Sequence, residues 1–196
     1  MSTTTLPPPS ESPLTPRERK RRVLLLALAF TRNMAFYRAG WSAGKYTGPK
    51  TQFWIAANGN FIDAATLEWW KLFCDRKGKH HWRKVVANPA KFEADLLAHI
   101  GLTVAEFDAL INEVSTYRDK FVAHLDDKRT LVPPRLDHLW AAVQFLFRHV
   151  LTVEMTPADA DEVRDGLLAS NLPTDIGDYQ KERLAEGKSE YTRRKT

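Results

Sequence analysis

The chain has 196 residues, 43% of them hydrophobic, enough to bury one core in a single main domain with loose ends. Its one cysteine, Cys74, excludes an internal disulfide and a cysteine-based zinc site, which suits a reducing cytoplasm. The formal charge of +5 leans toward anionic partners, nucleic acid first, although an excess of this size also serves solubility alone.

Residues 1–16 are rich in Pro, Ser and Thr, cannot build a core, and are expected to form a disordered leader. Arg17–Arg22 followed by the apolar run Val23–Phe30 superficially looks like a signal peptide. The long leader, Arg32 directly after the run and the lack of a small-residue cleavage site argue against that. The run is also far short of the roughly 20 residues that cross a bilayer, so no membrane association is expected. A first helix is expected from Pro16 or Arg17 toward Tyr37, with Leu24, Leu25, Leu28 and Phe36 as apolar positions. Gly40, Gly44, Gly48 and Pro49 mark a loop. A short segment Phe53–Ala57 should end in a turn at Asn58-Gly59-Asn60, with Asn60 capping a helix from Phe61 to Cys74.

Lys77–Lys84 reads as a basic connection containing His80, His81, Trp82 and Arg83. Asn88-Pro89 precedes a helix over about Lys91–His99, closed by Gly101. Thr103 with Glu106 forms a capping box for a long helix reaching about Asp126. Pro133 and Pro134 break the chain, and Leu136, Leu139, Val143, Leu146, Phe147 and Val150 define another amphipathic helix. A short helix is expected over Ala158–Ala169. The charged tail over 173–196 should be frayed or a solvated helix. No strand alternation stands out. The expected architecture is an all-α bundle of four to five main helices over residues 17–172.

Arg118 interrupts the apolar seam of the long helix. Val104, Phe107, Ile111, Val114, Phe121 and Leu125 repeat at steps of three and four, and Arg118 fills the gap between Val114 and Phe121. A guanidinium there is costly unless something anionic or hydrogen-bonding meets it. Six residues on lies His124, suited to proton transfer near neutral pH. On an ideal α-helix the two point about 120° apart, about 9 Å apart along the axis. Convergence therefore needs Arg118's reach, a loosened last turn, or a second copy of the chain. Lys120 and His124 share a face, and Tyr117 lies one heptad below His124.

Arg118-Asp119-Lys120-x-x-Ala123-His124-x-Asp126 near the end of a long helix resembles the HEPN superfamily (higher eukaryote and prokaryote nucleotide-binding), and within it the abortive-infection type. The motif covers about ten residues, and the helical pattern extends the resemblance over Arg17–Val153. The resemblance implies a metal-independent endoribonuclease, active as a homodimer, leaving a 2′,3′-cyclic phosphate and a 5′-hydroxyl. It implies no cofactor, and service as a toxin or phage-defence effector with an antitoxin or defence partner. Arg118 and His124 would be catalytic, Asp119 would orient the arginine, and RNA would be the partner. Lys120, Tyr117, His80, His81 and Arg83 are candidate RNA contacts, with Trp82 able to stack on a base.

Plainer readings stand beside these. Arg118 is a structural arginine if Asp63 or Glu68 pairs with it, and His124 a helix-end histidine aided by the dipole. The His80–Arg83 loop is a solvated connection if Trp82 pins it to the core. Trp69 and Trp70 read as core, and Cys74 as a small apolar residue. The competing function is a noncatalytic HEPN-like module binding nucleotide, RNA or a partner protein. A small-molecule sensor with a cavity near Trp69 and Trp70 is the third.

Overall fold

The computed structural model describes residues 13–122, 134–159 and 173–193, and over these the chain is predominantly helical. Helix α1 (Pro16–Ala39) begins as expected. The Thr15 hydroxyl accepts from the Glu18 amide, and the Glu18 carboxylate accepts from the Thr15 amide at 2.8 Å, closing a capping box. Val23, Leu24, Ala27, Phe30 and Met34 form its fully buried stripe.

The glycine-rich loop holds a two-residue antiparallel ribbon that the pattern did not announce: β1 (Trp41–Ser42) pairs with β2 (Lys45–Tyr46). Ala43 (φ 47°) and Gly44 (φ 73°) both take the left-handed conformation that a tight hairpin turn requires. Helix α2 (Gln52–Phe73) then runs straight through Asn58-Gly59-Asn60, so the expected turn and the Asn60 cap do not form. Tertiary contacts explain the override. The Asn58 amide nitrogen donates to the Tyr37 carbonyl (3.0 Å) and the Tyr191 hydroxyl (2.8 Å), and its carbonyl accepts from the Trp41 indole (2.8 Å). Asn58 is a hub between three elements, not a turn residue.

A 3₁₀ turn (Trp82–Lys84) leads to α3 (Pro89–Ile100), capped by the Asn88 side chain and closed by Gly101 at φ 68°. Helix α4 (Val104–Tyr117) starts at the expected Thr103–Glu106 box but does not continue as α-helix to Asp126. From Arg118 to Val122 the backbone widens into a π-helical turn. Helix α5 (Leu136–His149) ends in a second such turn, Val150–Glu154. Of the expected helix over 158–169, residues 157–159 are helical, with the Thr156 hydroxyl accepting from the Asp159 amide at 3.1 Å; Ala160–Ala169 lie outside the described residues.

The charged tail corrects the sequence reading most. Residues 176–193 form α6 (Ile176–Arg193), which packs along α1. It fully buries only Ile176, Gly187 and Tyr191, so its apolar pattern is faint in the sequence. Gly187 is needed there, because a Cβ would come within 2.8 Å of the Ala39 side chain. Pairs three residues apart, Lys181–Asp178 (2.8 Å) and Arg183–Glu186 (2.7 Å), lace its outer face.

The core gathers α1 to α5 around Trp69, Phe73, Phe92, Leu110 and Leu146. Trp69 stacks on Phe73 with ring centroids 4.7 Å apart, and its indole N–H donates to the Leu139 carbonyl at 3.2 Å. Among the described residues, no helix is long and apolar enough to cross a membrane.

Candidate functional site

The end of α4 lies against one face of α2. Asp63 and Trp70 are seven residues apart in α2 and so share that face. The Tyr117 hydroxyl donates to Asp63 Oδ1 at 2.8 Å. Burial pushes the Asp63 carboxyl above its usual range, partly offset by that hydrogen bond. Burial and the neighbouring carboxyl push the Tyr117 phenol up in turn. Tyr117 is 2% exposed, so it anchors the end of α4 and has almost no surface to offer RNA.

One residue on, Arg118 lays its guanidinium over the Trp70 indole, 3.9 Å from the ring centroid. Its Nη2 meets Asp119 Oδ1 at 2.9 Å, and the side chain keeps 28% of its surface exposed. Its Nε is buried without a hydrogen-bond partner. Asp63 is engaged by Tyr117, and Glu68 faces Lys71 at 3.4 Å, so neither is the carboxylate on Arg118. The indole supplies the favourable surface that the apolar seam lacks, and Asp119 fixes one edge of the fork.

Arg118 opens the π-helical turn, so the angular offset derived for an ideal α-helix does not carry to His124. His124 and Asp126 lie outside the described residues. Asp119 is exposed, and Lys120 is half-buried on the same turn.

The His80–Arg83 connection separates into different roles. His81 is 1% exposed; its Nδ1 accepts from the Arg83 amide (3.2 Å), so Nε2 carries the proton and donates to the Phe73 carbonyl (3.1 Å). Burial pulls its imidazole down to about 4. His81 is thus a neutral core side chain, and the expectation that it contacts RNA fails on burial. Trp82 is 2% exposed and packs on Phe92, so it pins the loop and is not a base platform. Arg83 lies over Trp82, and its Nη2 donates to both Glu93 oxygens at 2.7 Å, an ion pair within the fold that competes with any RNA contact. His80 alone stays half-exposed among cations; burial and then Arg22, Lys71, Lys79 and Arg19 lower its imidazole.

Cys74 donates to the Ile111 carbonyl at 3.8 Å, and burial pushes its thiol up to about 12, which disfavours the thiolate. Trp70, read from spacing as core, is half-buried against the core and is also the platform under Arg118. Its position one residue from fully buried Trp69 hid that role. Among the described residues, no three His, Cys, Asp or Glu side chains gather where they could hold a metal ion. Compared with family models, curated proteins and solved structures, the chain matches none.

Proposed function

We propose that this chain is a metal-independent endoribonuclease of the HEPN type, acting as a homodimer whose two Arg118/His124 sets line one RNA groove. The observation that carries the reading is Arg118 itself. It interrupts an apolar seam, yet among the described residues no carboxylate from a neighbouring helix neutralises it, and it rests oriented and partly open on Trp70. The π-helical turn that begins at this residue adds support, since such turns recur at functional sites.

In the proposed reaction the 2′-hydroxyl oxygen of RNA attacks the adjacent phosphorus and the P–O5′ bond breaks. One His124 takes the 2′-hydroxyl proton, and the other protonates the departing 5′ oxygen. Arg118 holds the charge that develops on the phosphate oxygens. The products are a 2′,3′-cyclic phosphate and a 5′-hydroxyl. A toxin or phage-defence role in the cytoplasm, with an antitoxin or defence partner, fits such an activity.

The competing reading is a noncatalytic HEPN-like module, favoured by the Asp119 contact, which already gives Arg118 a charge partner. The test is incubation of the purified full chain with labelled single-stranded RNA in excess EDTA. Cleavage ending in cyclic phosphate, lost in His124→Ala, supports the nuclease. Retention of RNA without products supports the module.

A further inference from the structure

The basic run that opens α1 divides by face. Arg17 meets Asp159 at 3.7 Å, and Lys20 donates to the backbone oxygen of Glu154, so both are engaged on the side of residues 154–159. Arg19 and Arg22, three apart and so neighbours on the helix, instead line a cleft of about 730 Å³ with Pro13, Leu14, Thr15, Glu18 and Lys79. Among the described residues, the side chains of Arg19, Arg22 and Lys79 make no ion pair and no hydrogen bond, and Arg19 Nε is buried without a partner. The one carboxylate among the described lining residues, Glu18, is committed to the amide and hydroxyl of Thr15.

Lys71, at the end of α2 and facing Glu68, brings a further positive charge to bear on His80 together with Arg19, Arg22 and Lys79. Cations from α1, α2 and the following loop thus converge, with Glu18 bound to its cap and Glu68 set against Lys71 as the carboxylates described among them. Like charges held together this way repel, and an anion in the cleft offsets the repulsion.

We propose that this cleft is a phosphate-backbone site for single-stranded RNA, held by Arg19, Arg22 and Lys79. The choice of RNA over other phosphate polymers rests on the nuclease reading; the anion site does not. Guanidinium forks match phosphate oxygens. The described lining residues include no aromatic ring on which a base would stack, so recognition is of the backbone and indifferent to sequence. The site would grip the strand away from the scissile bond.

The test is fluorescence polarisation with a 2′-O-methyl oligonucleotide, which binds but cannot be cut through its 2′ oxygen, titrated at several salt concentrations. The full chain is compared with the triple variant Arg19→Gln/Arg22→Gln/Lys79→Gln, and circular dichroism monitors the fold. The variant should bind about tenfold more weakly, and its log K against log salt slope should shrink by about 2, three contacts at about 0.7 each. If the triple variant does not fold, Lys79→Gln alone, on an exposed loop, should reduce the slope by about 0.7. Equal affinity and slope in parent and variant overturn the site, even if the parent cleaves ordinary RNA normally. Parent binding to anionic phospholipid vesicles but not to the oligonucleotide overturns it too. Cleft-dependent binding by a parent that cleaves no RNA keeps the site and removes the nuclease.

Discussion

Two arginines in this molecule lie flat on two tryptophans, and they end up in opposite situations. Arg83 sits over Trp82 with its guanidinium carbon 4.7 Å from the ring centroid, and both oxygens of Glu93 close on it at 2.7 Å. Arg118 sits over Trp70 at 3.9 Å with one oxygen of its own neighbour Asp119, and its Nε bonds to nothing. Both bond through Nη2; the first is neutralised by a carboxylate from α3, and the second, among the described residues, by the carboxylate next to it in sequence, with its Nε buried and unpartnered. Stacking alone does not mark a functional arginine; where its charge partner comes from does.

The platforms differ as well, and the largest predicted effect follows from that. Trp82 is 2% exposed in the core, so Trp82→Ala should destabilise the chain by about 4 kcal/mol in denaturant unfolding. The same change at half-buried Trp70 should cost clearly less. Equal losses would mean that Trp70 is a core residue, as its spacing suggested.

The next effect uses His81, which accepts from the Arg83 amide. Its folded imidazole is pulled from 6.5 to about 4, so the unfolded chain binds this proton more readily. Stability from this group is complete above about pH 6.5 and falls as pH drops toward 4, by about 3 kcal/mol in all. Thermal melts across that range should show the fall in the parent. His81→Gln should lose this component; an unchanged pH profile would refute the assignment.

Tyr117→Phe tests how the open region is anchored. Removing the hydroxyl from Asp63 should destabilise by about 1 kcal/mol and raise the carboxyl further, since that hydrogen bond is what lowers it. The smallest effect is the Arg83–Glu93 ion pair itself. A double-mutant cycle on Arg83 and Glu93, whose side chains are 40% and 34% exposed, should give a coupling of about 0.5 kcal/mol.

What the sequence disclosed depended on whether the cause was local. Thr103 with Glu106, Asn88 with Pro89, and Gly101 act within a few residues, and the corresponding helix ends lie where those residues put them. Asn58-Gly59-Asn60 misled because its meaning is tertiary: Asn58 serves Tyr37, Trp41 and Tyr191, the last from the far end of the chain. The sequence leaves the tail as frayed or a solvated helix because α6 buries only Ile176, Gly187 and Tyr191 and shows no apolar stripe. At the site, Arg118 was visible as a cation out of place, whereas its resting surface on Trp70 depends on how α2 and α4 cross. His81 could not be told from His80 by composition, since only the fold decides which of two adjacent imidazoles enters the core.

The central claim is that Arg118, which among the described residues no carboxylate from another helix neutralises, acts on RNA and that Arg83, held by Glu93, does not. Arg118→Gln and Arg83→Gln therefore belong in one assay, RNA cleavage in EDTA with melting temperatures recorded beside it. Arg118→Gln should reduce the cleavage rate by about 100-fold or more with little change in melting, as for loss of a group that stabilises transition-state charge. Arg83→Gln should cleave within about twofold of the parent. Parental cleavage by Arg118→Gln, or equal losses in the two variants, would contradict the account.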